Sequence, residues 1–117
     1  HPQLGALRFD GSLHFVTSSY FEDALVRMEQ GNVKLRYVLV QCNGINDLDA
    51  SGVEVLRNLG ERFRKNGIVL TFTGLKQQVR VVLDRTGLTE QIGLENIFAT
   101  DEHALSELNR RLAQSQH

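Results

Sequence analysis

Apolar positions along the chain alternate between continuous or two-residue spacing and three-to-four-residue spacing, and each switch is marked by Gly, Asn or Asp. Residues 4–9 and 12–16 are short apolar-rich runs on either side of Asp10-Gly11. Asp-Gly between two such runs predicts a hairpin, because a type I′ turn needs positive φ at both central positions. Phe21, Leu25 and Met28, with Ala24 beside them, recur at helical spacing. Ser18 or Ser19 is the expected cap, Ser19 and Glu22 having capping-box spacing, and Gln30-Gly31-Asn32 the stop. Residues 37–42 form an unbroken apolar run, as in a strand covered on both faces. A polar loop over 43–49 leads to a helix with Val55 or Leu56, Leu59 and Phe63 inward, closed by Asn66-Gly67. Residues 68–73 read as a β-branched strand. Gly74-Leu75-Lys76 turns into a helix that places Val79, Val82 and Leu83 inward and ends at Thr86-Gly87. Ile97-Phe98 is a short strand. Thr100 or Asp101 caps a last helix burying Ala104, Leu105, Leu108 and Leu112, before a polar, frayed tail over 114–117.

The predicted order is ββαβαβαβα: an α/β fold with a mostly parallel central sheet, an N-terminal antiparallel hairpin and four helices. Right-handed crossovers place helices on the sheet. Residues 1–117 are expected to be one domain, since the composition shows no break. Binding in such folds concentrates beyond the C-terminal ends of the strands. Here those loops are residues 43–49 and 73–76, plus the turn near 16–19.

Composition narrows the function. Hydrophobic residues make up 41% and charged residues 23%, enough for one core and a solvated surface. Thirteen Lys and Arg stand against fourteen Asp and Glu, a net charge of −1, which does not supply the basic face that nucleic-acid binding needs. The densest cations, Arg62, Arg64 and Lys65, sit beside Glu61 at an expected helix C-terminus, where the dipole favours them. The single cysteine, Cys42, ends an apolar run and reads as a buried small hydrophobe. No stretch approaches the roughly 18 apolar residues of a membrane span, and a cytoplasmic setting is expected. The opening His1-Pro2-Gln3 has no initiating Met, which suggests a piece of a longer protein.

Candidate chemistry centres on Asp47-Leu48-Asp49-Ala50-Ser51-Gly52, between a buried strand and a helix. Asp49 is placed to accept from the first free N–H groups of that helix. Ser51 then falls in the first turn with its hydroxyl towards solvent, and Gly52 permits close approach of a neighbouring element. A phosphate on Ser51 would add roughly −1.5 to −2 charges at pH 7. The helix N-terminus would favour it and Asp47 and Asp49 would repel it. Two aspartates without a local His, Lys or third carboxylate make a poor metal or acid–base site.

The run from Cys42 to Val53, Cys-Asn-Gly-Ile-Asn-Asp-Leu-Asp-Ala-Ser-Gly-Val, resembles the central signature of STAS domains. So do Leu70-Thr71-Phe72-Thr73-Gly74-Leu75, the stretch Val79 to Leu88, and Ile97 to Leu105. That family comprises bacterial anti-sigma factor antagonists and the cytoplasmic C-terminal domains of SulP anion transporters. Phe9-Asp10-Gly11-Ser12-Leu13-His14-Phe15, followed by a small-residue helix start and Phe21, is similar to the SulP branch. Antagonists more often carry an acidic residue where this chain has Phe15. The resemblance implies a non-catalytic regulatory domain of a sulfate-type anion transporter. The alternative is a free-standing anti-sigma factor antagonist controlled by serine phosphorylation.

By the same resemblance, Ser51 stands where antagonists carry their phosphorylated serine, and Asp49 where they carry the adjoining aspartate. Ala50 replaces the commoner hydroxyl residue. The expected regulatory surface is Asp47, Asp49, Ala50, Ser51 and Gly52 with Thr73, Gly74, Leu75 and Lys76. Implied partners are the transmembrane domain of the same transporter or a cytosolic regulator, with a homodimer left open. No cofactor, metal or nucleic acid is expected. Nucleotide binding has no phosphate loop to support it, Gly74-Leu75-Lys76 being a poor substitute. His14 and His103 have no catalytic company near in sequence.

Overall fold

The computed structural model describes residues 2–8, 11–13 and 15–115. Six strands and five helices follow in the order β1 (Leu4–Arg8), β2 (Gly11–Leu13), α1 (Phe15–Gly31), β3 (Tyr37–Gln41), β4 (Ile45–Leu48), α2 (Ala50–Lys65), β5 (Val69–Thr73), α3 (Gln77–Thr86), α4 (Leu88–Ile92), β6 (Ile97–Phe98) and α5 (Asp101–Ser115). A 3-10 turn at Leu94–Asn96 joins α4 to β6. The main sheet has the order β1-β3-β5-β6, and every pairing in it is parallel.

Alternation along the central strands assigns a layer to each face. Val38 and Val40 of β3 and Leu70 and Phe72 of β5 join Leu25, Leu56, Leu59, Phe63, Val79, Leu83 and Leu88 in the larger core, which α1 to α4 cover. Leu39 points the other way and meets Phe98, Ala104 and Leu108 beneath α5. Successive residues of a strand face opposite sides, so an unbroken apolar run such as Tyr37–Gln41 requires both layers. Thr71 and Thr73 are fully buried on the α5 side. The Thr71 hydroxyl is satisfied by donating to the Val38 carbonyl at 3.0 Å. Gly5 lets β1 lie close under α1, since a Cβ there would stand 2.7 Å from the Met28 sulfur.

The opening hairpin is the main correction. β1 pairs in parallel with β3 from Leu4↔Tyr37 to Arg8↔Gln41, and β2 pairs in parallel with β4. Among the described residues, β1 and β2 thus lie in different sheets. The expected turn falls on Asp10, outside the described residues, as do His14 and the last two residues of the tail. A local turn preference is worth little against a five-residue ladder whose β3 partner is fully covered. Residues 43–49 are not all loop: Ile45 and Leu48 are buried and β4 runs between them. Its two exposed middle residues, Asn46 and Asp47, break strict alternation and disguise the strand.

Helix boundaries shift as well. α1 already begins at Phe15, so Ser18 and Ser19 lie inside its first turns rather than capping it, and residues 16–19 are not a turn. α4 makes a fifth helix, separated from α3 by Gly87 at φ 81°. Leu105 is 40% exposed, one residue off the face that buries Ala104, Leu108 and Leu112. Thr100, not Asp101, caps α5: its hydroxyl oxygen accepts from the His103 amide at 3.1 Å.

Candidate functional site

The predicted site residues lie at the C-terminal ends of β4 and β5, in two groups. Asp49 holds extended backbone geometry (φ −94°, ψ −179°) and its Oδ1 accepts from the Gly52 amide at 2.9 Å. Its carbonyl accepts the first intrahelical bond, from the Val53 amide at 3.0 Å. This is the expected N-cap. No other carboxylate occupies the first turn of α2. Ala50 is exposed and Gly52 buried, so the helix start is anchored at Gly52 and open at Ala50.

Ser51 is half-buried, and its hydroxyl has no hydrogen-bond partner among the described residues. None of their buried side-chain nitrogen or oxygen atoms lacks a partner, so this oxygen reaches solvent. Asp47 is exposed and accepts from the Leu48 amide at 2.9 Å. Beside the cap, Leu48, Asp49, Ala50, Val53, Glu54 and Arg57 face Val82, Arg85 and Thr86 across an open groove of about 550 Å³. Arg57 is tied to the far wall, donating to the Thr86 carbonyl at 2.9 Å.

The second predicted loop lies against β4, not against the groove. Lys76 Nζ donates to Asn46 Oδ1, and Gln78 Nε2 donates to the Asn46 carbonyl at 3.3 Å. Gly74 has φ 66°, and any Cβ there would overlap the Asn43 amide group. Positive φ and the close approach of Asn43 together demand glycine. The Leu75 side chain packs on the larger core, so it holds the loop down more than it presents a surface. Thr73 is buried; its carbonyl accepts from the Cys42 amide at 2.9 Å.

One organising residue escaped the sequence reading. Asp101, the first residue of α5, accepts from the Thr73 hydroxyl at 2.6 Å and from Gln41 Nε2 at 3.0 Å. Its carboxylate thereby ties the ends of β3 and β5 to the helix on the opposite face. The spacing gives no hint of this, since the partners are 60 and 28 residues away. Asn43 and Asn46 were also missed as individuals; only the polarity of their loop stood out.

Cys42 behaves as an inert filler. Burial pushes its thiol up from 9.0 to about 12, against a smaller opposing effect of the Thr73 backbone contact. The protonated thiol donates to the Val40 carbonyl at 3.5 Å. A thiolate nucleophile is thus unavailable at neutral pH. Among the described residues, no three His, Cys, Asp or Glu side chains converge on a metal position.

A parallel sheet with helices on both faces, and a capped helix start beside a solvent-reaching serine, define a small α/β domain. A family model for the STAS domain matches residues 1–104, and the chain belongs to that family. "Sulfate transporter 1.1" of Arabidopsis thaliana is 27% identical over 124 aligned residues, covering 98% of this chain and 19% of that protein. The chain thus spans about a fifth of that relative's length. Among solved structures, a sulfate transporter family protein from Wolinella succinogenes superposes with a TM-score of 0.84 at 20% identity, covering 95% of this chain and 88% of that one. The anti-sigma factor antagonist SpoIIAA, in its unphosphorylated form, gives 0.76 at 14% identity, with 93% and 90% covered. Both likenesses are of fold.

Proposed function

We propose that residues 1–117 form a single non-catalytic regulatory and partner-binding domain of a SulP-type anion transporter, on the cytoplasmic side of the membrane. The observation that carries this reading is one of proportion. A relative named as a sulfate transporter matches 98% of this chain with only 19% of its own length. No described helix is long and apolar enough to cross a membrane, so this segment would not itself form the transport pathway. Its contribution is to bind, through the cap of α2, the adjoining groove and the Asn43–Gly74 and Asn46–Lys76 contacts. The partner is the transporter's membrane portion or a cytosolic regulator.

The reading is tested on the complete reading frame. Membrane spans encoded in frame before His1 are expected, and anion uptake should change when Asp47, Asp49 and Ala50 are altered together while the protein still inserts. A frame that opens at this domain would overturn it. A second reading, a free-standing antagonist switched by phosphorylation, is favoured by the Ser51 hydroxyl reaching solvent beside the Asp49 cap. It requires intact mass of the native protein to show one added phosphate that Ser51→Ala abolishes.

A further inference from the structure

At the opposite end of the molecule the fold gathers charges that the sequence keeps apart. The Gln3 carbonyl accepts from the Arg36 and Tyr37 amides, and the Arg36 carbonyl accepts from the Val69 amide. The Ile68 amide reaches back to Phe63 at the end of α2. Glu29, near the end of α1, accepts from Arg62 Nε at 2.9 Å and Asn66 Nδ2 at 2.7 Å. These bonds make one continuous surface of the 32–36 turn, the last turn of α2 and the start of β1.

Five cations stand on it: Lys34, Arg36, Arg62, Arg64 and Lys65. Among the described residues, two carboxylates pair with them. Glu29 is consumed, with 10% of its side chain exposed, and Glu61 lies 3.8 Å from an Arg64 that is itself 79% exposed. Lys34, Arg36 and Lys65 are exposed and have no carboxylate partner among the described residues. In a chain whose overall charge is −1, this end is positive and the remainder correspondingly negative. The dipoles of α1 and α2 offset part of that charge, and screening confines the rest to about 10 Å at 0.1 M salt.

Among these cations stands Val33, 97% exposed, the most exposed large hydrophobic described. Its turn is pinned from three sides. Asn32 Nδ2 donates to the Pro2 carbonyl at 2.6 Å, the Lys34 amide donates to Asn32 Oδ1 at 3.0 Å, and Leu35 is buried. A fixed tip carrying an apolar side chain, on a surface that also bears the unpaired Lys34, Arg36 and Lys65, has the chemistry of a bilayer contact: phosphate headgroups for the cations and the acyl boundary for the valine.

We infer that this end of the domain docks on an anionic lipid surface, with Val33 inserted and Lys34, Arg36, Arg64 and Lys65 on the headgroups. The inference rests on the transporter reading only in that a tethered domain has a bilayer within reach. Tethering lets a contact too weak to recruit a free protein be occupied.

The test uses the 117-residue chain and vesicles of phosphatidylcholine with 30% phosphatidylserine (about 30%, a composition chosen for an anionic leaflet), against vesicles of phosphatidylcholine alone. Partition measured by flotation at low salt should favour the anionic vesicles and vanish at about 0.5 M salt. Each of Lys34→Gln, Arg36→Gln and Lys65→Gln should weaken it about fivefold, and all three together on the order of a hundredfold. Val33→Asn should weaken it about tenfold at each low salt concentration where partition is measurable. Arg85→Gln, on the other end, should leave it unchanged. No partition, equal partition onto both vesicles, or partition indifferent to the triple variant overturns the inference. A triple variant that has lost its helical circular dichroism is replaced by the three single variants. Failure here would leave the transporter reading standing, and a reading frame without membrane spans would leave lipid binding standing.

Discussion

Asp49 and Ser51 sit two residues apart in one turn, yet the physics of the two side chains differs. Asp49 closes one of the free N–H groups of α2 at 2.9 Å, so Asp49→Ala should cost about 1 kcal/mol and Asp49→Asn much less. Ser51 makes no such bond among the described residues, and Ser51→Ala should stay within about 0.5 kcal/mol when all three variants are compared by urea unfolding. Cys42 supplies a pH signature. Its thiol titrates near 12 in the folded protein and near 9.0 when unfolded, so between those values the unfolded chain has lost a proton that the folded chain keeps. Stability contributed by the buried neutral thiol is therefore intact below pH 9 and declines as pH rises towards 12, at up to about 1.4 kcal/mol per pH unit. Cys42→Ala should flatten that slope relative to the parent, whatever it does to stability at neutral pH.

At the level of elements, the contact most exposed to test is the bridge from α5 to the strand ends. Asp101→Ala removes the acceptor of the Thr73 hydroxyl, which has no exposure, and should destabilise by about 1–3 kcal/mol. Adding Thr73→Val, which removes the orphaned donor, should recover part of that loss. If the double variant is no more stable than the single one, the bridge is not what holds these elements. Sequence patterns described the elements unevenly. α2, β5, α3 and β6 were legible to within a residue or two, because their apolar spacing and their Gly or Asn stops agree. β4 was hidden by its exposed Asn46-Asp47 centre, and the strand pair at the start was misread because Asp-Gly advertises a local turn while β1 finds a better partner in β3. Local preference and distant pairing compete there, and only the second buries surface.

Over the whole molecule, α5 and the helices of the opposite layer share the same central strands, which should make unfolding a single transition. Leu39→Ala, on the α5 face, and Phe63→Ala, on the other, should each lower that transition by roughly 10 °C or more, from about 2–5 and 3–5 kcal/mol of lost packing. Separate melting of α5 in the Leu39 variant, seen as two steps by calorimetry, would show the layers to be independent. Of the two ends, only one announced itself in the sequence. Residues 47–52 are contiguous, so their cap chemistry could be read directly, as could the α/β class, the covered strands and the family. The Asp101 bridge, the split of residues 73–76 away from the Asp49 groove, and the basic end around Val33 all join segments tens of residues apart. Their existence depends on strand register, which brings Gln3, Arg36 and Val69 together at one end and Gln41, Thr73 and Asp101 at the other. Short-range periodicity fixes which residues face a core. Which faces then meet is decided by the pairing of distant strands, and no local pattern carries that information.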